Sequence, residues 1–445
     1  MTKRKSQIVF TIIIFLIIFA KANSQQNTTG RQQVIPDTLT LDKVIKEVIG
    51  NHPSVKESEE KINETNANIG LAKTGYYPNI DFSASYTRIS PISTFDVPNL
   101  GSYELFPENN YNSLLNISEN IFDFGKTKRN IDYEIENKIL LKQKHEQIKQ
   151  SLSLSAVYGF FTILYLQEAI NIKDEQLHNL HEHLDFVQKK KETGSAIEYE
   201  ILTTQVRISN VESQQTDLEA SLIVQQSALN SLMGESPYSA HYIKSELPEK
   251  IIEIKEDSLI TFAVEHRDEM SIAKEKTKLA ELHYNVLELQ NYPVINIFTS
   301  GGWKNGYIPD LKTLTFNFAA GIGVTLPIFD AGRNHNNLSL AKSSILEDNF
   351  EIETERRKIV NEVVQNNENL KASQKKLNQF KLQLEQAEKA YSLAQINFKE
   401  GAITNLDLLD ATTNVSESRL LLLKVNIDYI INMYKLKSAI GEKLY

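Results

Sequence analysis

The chain has 445 residues, carries 48 lysines and arginines against 57 aspartates and glutamates for a formal charge of −9, and contains no cysteine. The acidic balance argues against a nucleic-acid partner. The lack of thiols excludes a disulfide framework and a cysteine-linked lipid anchor.

Residues 1–22 have the layout of a signal peptide. Lys3, Arg4 and Lys5 precede an apolar run from Ile8 to Phe19, and Ala20 and Ala22 are small residues of the kind a signal peptidase reads. The run falls short of the ~20 residues that a spanning helix needs. Its removal takes Lys3, Arg4, Lys5 and Lys21 with it, which moves the charge from −9 to −13. Residues 23–37 are rich in Asn, Gln, Ser and Thr and predict a flexible leader. No later stretch is apolar enough for a membrane helix, so the exported chain is either soluble or enters a membrane as strands.

A first structural repeat spans 38–234. Leu41, Val44, Ile45, Val48 and Ile49 at helical spacing predict an opening helix over about Thr40–Thr74. It ends before Tyr77-Pro78, where proline disfavours helix. Residues 79–90 carry period-two alternation, with Ile80, Phe82, Ala84 and Tyr86 opposite Asp81, Ser83, Ser85 and Thr87. A weaker strand covers 114–122, and the tip between the two holds Pro91, Pro98, Gly101 and Pro107. A long proline-free helix follows from Lys126 to Lys191. Its seam, which includes Leu152, Ala156, Ile163, Leu166, Leu180 and Val187, has coiled-coil spacing. The chain turns at Gly194 and returns through a shorter helix to Gly234.

A linker, 235–256, leads to a second repeat over 257–445. It offers an opening helix at Asp257–Leu289, strands at 294–303 and 315–328, and a tip with Trp303, Gly306 and Pro309. A second seam helix spans Asn334–Lys399, turns at Gly401 and returns to Gly441. The run Ile121-Phe122-Asp123-Phe124-Gly125 recurs as Ile328-Phe329-Asp330-Ala331-Gly332, and Gly125/Gly332 and Gly194/Gly401 share one offset of 207 residues. That period is too long for a solenoid, so the fold expected is a duplicated α-β-β-α-α unit, mainly helical with a small β part. A helix of about 65 residues is roughly 98 Å long, and the two shorter ones together reach about 106 Å. Each short pair therefore suits the flank of a long helix.

Half-apolar strands usually lie on a soluble core. Here the polar face is small and wet rather than charged, and the strands have the ~10 residues of a tilted membrane strand. Four strands cannot close in lipid, so copies must combine, two giving eight strands and three giving twelve.

At this point the sequence resembles the TolC-like outer-membrane efflux proteins over essentially the whole exported chain. The resemblance rests on Thr38-Leu-Thr-Leu followed by Asn51-His52-Pro53, on Pro327-Ile-Phe-Asp-Ala-Gly332, and above all on Phe398-Lys-Glu-Gly401-Ala-Ile-Thr-Asn-Leu-Asp407-Leu-Leu-Asp410-Ala411. It implies a homotrimer with a twelve-stranded barrel in outer-membrane lipid and a helical α-barrel in the periplasm. It also implies a periplasmic adaptor and an inner-membrane pump of RND, ABC or MFS type, in drug efflux or type I secretion. The rival classes are a periplasmic adaptor, which needs a β-domain between its helical arms, and a structural coiled coil, which lacks strands.

Three groups of residues are candidates for function. Asp407 and Asp410, three apart on one helix face, match family aspartates that ring the periplasmic entrance and favour cations. Glu200 holds the equivalent of Asp407 in the first repeat, and Thr203 replaces Asp410. Thr404-x-x-Asp407 is also a capping box, which offers a structural role for Asp407. Gly194, Ser195, Gly401 and Ala402 form the expected adaptor-docking tip. The family's tyrosine and arginine latch positions are Phe398 and Ile403 here. No enzyme or cofactor is implied. His178, His181 and His183 lack a matched carboxylate or thiolate for zinc, and Lys189–Lys191 form a solvated helix end or an adaptor contact.

Overall fold

The computed structural model describes residues 38–98, 101–239, 241–243 and 256–445. The expected signal peptide and leader, and most of the 235–256 linker, lie outside the described residues. Leu39–Ser239 and Ile243–Tyr445 form one compact unit; a second, Met1–Thr38 with Ala240–Tyr242, is almost wholly outside the described residues.

In the first half α1 (Leu41–Asn51) and α2 (Pro53–Lys73) precede the strands, and α3 (Lys126–Glu192) and α4 (Glu198–Met233) follow them. The second half has the same order, with α5 (Glu256–His266) and α6 (Asp268–Glu288) before the strands and α7 (Arg333–Lys399) and α8 (Asn405–Ala439) after. Both long helices have 67 residues.

Each opening helix is broken in two, where the sequence had predicted one continuous helix. At His52 the cause is Pro53, which lacks an amide proton and occupies the first position of α2, while the His52 ring accepts the Ser54 amide proton. Arg267 makes the equivalent break without proline. Its backbone is extended, and its buried guanidinium donates to Glu269 at 2.7 Å, pairs with Glu362 at 3.0 Å and donates to the Ala439 carbonyl at 3.1 Å. The two carboxylates keep the Arg267 pKa above its ordinary value despite burial.

The longest continuous core lies where α3 crosses α1, α4, α6 and α8. Phe160, Ile163, Val44, Leu229 and Ile430 are almost fully buried there. The seam positions expected on α3 face inward, as do Ile359, Val363 and Leu370 on α7, which packs on α5, α6 and α8.

The strands β1 (Asn79–Arg88), β4 (Asn109–Phe122), β5 (Val294–Lys304) and β6 (Thr315–Thr325) form one antiparallel sheet in the order β1-β4-β5-β6. The two expected hairpins are therefore neighbours in a single sheet. A small separate hairpin, β2 (Thr94–Val97) and β3 (Gly101–Glu104), decorates the first tip. The strand expected at 114–122 begins five residues earlier, at Asn109, and β6 stops at Thr325, just before Leu326-Pro327. Trp303 lies inside β5 rather than at the tip, edge-on to Phe316 at 5.6 Å. The apolar residues of β1 and β6 cover no core: Phe82 is 71% exposed, Phe318 78% and Ile322 74%.

The repeated Phe-Asp-x-Gly is a strand-to-helix turn. Phe124 and Ala331 take left-handed backbone angles, as do the glycines that follow them. Asp123 compensates by accepting the amide protons of Gly125 at 2.9 Å and Thr127 at 2.7 Å, and Asp330 accepts those of Gly332 and Asn334, both at 2.9 Å. The Asn334 amide foremost holds the Asp330 carboxyl below its usual range.

Candidate constriction at the helical turns

Both reversals are built alike. The Gly194 amide donates to the Lys191 carbonyl and that of Ser195 to Lys190; Gly401 donates to Phe398 and Ala402 to Asn397. With φ of 77° and 74° at the two glycines, these are Schellman caps, which use glycine because a Cβ is strained there. Ser195 and Ala402 have their amides committed and their side chains exposed.

The returning helices begin differently. Thr404 and Asp407 form a complete capping box: the Asp407 amide donates to the Thr404 hydroxyl at 3.2 Å, and the Thr404 amide donates to the Asp407 carboxylate at 2.9 Å. The Thr404 hydroxyl first, and then its amide, hold the Asp407 carboxyl below its usual range, so it is ionised at neutral pH. Ile197 takes the capping position of α4, with Glu198 and Glu200 in the first turn and no side-chain cap. Glu198 pairs instead with Lys191 across the turn.

Asp410 lies beyond the box, and its Oδ1 accepts from Arg207 Nη2 of α4 at 2.8 Å. Glu200 contributes its backbone carbonyl to a third feature, centred on Asn405, which is 5% exposed. The Asn405 amide nitrogen lies 3.3 Å from the Glu200 carbonyl, 3.3 Å from the Thr203 hydroxyl and 3.4 Å from the Thr204 hydroxyl. Its Oδ1 lies 2.6 Å from His183 Nε2. Because that oxygen only accepts, the imidazole donates through Nε2. Asn405 thereby ties α8 to both arms of the first hairpin. Nothing in the local spacing marked Asn405 or Arg207, although Arg207 stands one helical turn after Thr203.

Phe398 is buried with Val187, Ile201 and Leu408. It touches the rings of His183 and Phe186, and Lys190 Nζ lies 4.9 Å above its face. The latch position is therefore a packing position. Lys189 pairs with Asp185 and Lys191 with Glu198, so the basic run is engaged within the chain rather than free. His178 faces Glu182 at 3.3 Å while His183 points inward, and no group of three ligating side chains gathers among the described residues.

Burial pushes the His183 pKa below the ordinary imidazole value, although the Asn405 hydrogen bond and Glu200 oppose the shift and Lys190 adds to it. A histidine whose folded pKa is depressed contributes stability that is complete above its unfolded value, ~6.5, and declines as pH falls. Amide exchange at Thr404–Leu409, corrected for intrinsic rates, is expected to speed up between pH 7 and pH 5. His183→Gln is expected to flatten that dependence; an unchanged slope refutes it.

Residues 44–235 and 259–442 match the sequence profile of the family described as outer membrane efflux protein. The chain belongs to this family. It is 22% identical to the cation efflux system protein CusC of Escherichia coli K12 over 94% of this chain and 90% of that one. It is 20% identical to the outer membrane protein TolC of the same strain, over 86% and 76%. In structure it resembles the CmeC outer membrane channel of Campylobacter jejuni, with a TM-score of 0.78, 18% identity, and 90% and 85% of the two chains covered. This outer membrane efflux protein is thus an outer-membrane duct, and its relatives are channels rather than enzymes. Among the described residues no helix is long and apolar enough to cross a membrane.

Proposed function

We propose that three copies of this chain form the exit duct of a tripartite efflux or type I secretion system, receiving cargo from an inner-membrane pump through a periplasmic adaptor. One observation carries the reading: among the described residues the sheet has two unpaired edges, β1 and β6, and an exposed apolar face. Edges cannot stay open in lipid, and three four-stranded sheets joined edge to edge give a closed barrel of twelve. The helical part has matching needs, since Val206 and Val224 on α4 and Leu340 and Phe350 on α7 are exposed apolar residues at the flanks of the unit. The parallel element order of the two halves supports an internal duplication, 38–234 and 257–445. Mass measurement in detergent tests the assembly. A trimer is expected, and a stable monomer or dimer after gentle extraction refutes it.

The bare turns at Gly194 and Gly401 are the adaptor-docking tip in this reading, and Asp407, Asp410 and Glu200 ring the entrance. Replacing Ser195 or Ala402 with tryptophan leaves the Schellman glycines intact. Export is expected to fall at least tenfold while trimer yield in the membrane is unchanged; full export by both variants removes the docking role. CusC is named for cation efflux; in this chain Met233 and Met270 are core residues and Met433 packs against that core, so these side chains are committed to packing. A duct of this kind takes its cargo from the pump it joins.

A further inference from the structure

We infer that Arg207 is a counter-ion built into the constriction and that it sets the strength of charge selection by neutralising Asp410. The inference rests on the reading of Asp407 and Asp410 as the entrance ring. The two aspartates share a helix face but meet different partners. Asp407 is held by the hydroxyl and amide of its own cap residue, which carry no net charge, so it presents a full negative charge. Asp410 meets a guanidinium at 2.8 Å. The pair is partly open to solvent, with side-chain exposures of 28% for Arg207 and 57% for Asp410, so dissolved ions reach it.

The asymmetry is written in the two halves. At the offset of 207, Thr203 corresponds to Asp410 and Asn414 to Arg207. The first hairpin supplies the cation and the second the anion, each where the other half has a neutral residue. In a threefold assembly the ring then holds three uncompensated aspartates at the level of Asp407, rather than six. Arg207 is a specificity-determining residue in this scheme, and its planar guanidinium suits a lasting carboxylate contact better than lysine would.

Single-channel recording in planar bilayers, on full-length assemblies, separates the possibilities. Arg207→Gln uncovers Asp410 and is expected to raise the cation-to-anion permeability ratio roughly threefold in moderate salt. Asp410→Asn frees Arg207 and is expected to lower the ratio by a similar factor. The double variant Arg207→Gln/Asp410→Asn, neutral at both positions, is expected to return to the parent value. If Asp407→Asn lowers the ratio while Arg207→Gln leaves it unchanged, the entrance ring stands and the counter-ion role falls. If Arg207→Gln only lowers thermal stability of the assembly, with the reversal potential fixed, the contact is structural and the inference is overturned. If all of these variants leave the ratio unchanged, the entrance ring itself falls, and the inference with it.

Discussion

Channels carrying Asp407→Ala together with Asp410→Ala are expected to lose their cation preference, with a fall of roughly tenfold in the cation-to-anion permeability ratio. The size follows from the charges. The double change removes the free carboxylate of Asp407 and leaves Arg207 without its partner, so each chain shifts by two charges and a trimer by six. A unit charge met at roughly 8 Å in water contributes about 0.5 kcal/mol, and six such terms, about 3 kcal/mol, fall on screening over about one Debye length to roughly the ~1.4 kcal/mol of a tenfold change. Block by multivalent cations should weaken in parallel. Asp407→Ala alone also removes half of the capping box, so its thermal stability should be recorded beside its conductance. If neither preference nor block changes in the double variant, the constriction lies elsewhere.

Phe160→Ala is expected to produce the largest loss of stability. The ring is fully buried on α3 and stands edge-on to Phe161 at 5.3 Å, in the cluster that also contains Leu229, Met233 and Ile430. Emptying such a site costs about 3–5 kcal/mol, the transfer term plus the cavity left behind. Only partial collapse is open to such a site, because its cluster draws on helices as far apart in the chain as α1, α3, α4 and α8. Denaturant midpoints for the detergent-extracted protein should drop accordingly, and Phe160→Leu should recover most of the loss. A midpoint within experimental error of the parent would mean that the helices around α3 repack freely.

The features legible in the sequence are those fixed by local chemistry. Period-two alternation placed strands at 79–90 and 315–328, where Asn79–Arg88 and Thr315–Thr325 are found, because successive side chains of a strand face opposite sides whatever lies beyond them. The proline-free runs Lys126–Lys191 and Asn334–Lys399 fixed the extent of α3 and α7 to within a residue at each end. Gly194 and Gly401 marked the reversals because a left-handed residue is required there, and Thr404-x-x-Asp407 announced a cap that involves only neighbours in the chain.

Tertiary structure decided what depends on distant partners. The break at Arg267 has no proline and no local signal; it is held by Glu362 and by the Ala439 carbonyl, the latter 172 residues away. Arg207 and Asp410 are 203 residues apart, and Asn405 reaches the Glu200 carbonyl across 205. Which side chains stand at the same level of two packed helices depends on their relative shift and rotation. Periodicity within one helix carries no information about either, so the residues that give the turns their charge and their rigidity emerge only when the helices are side by side.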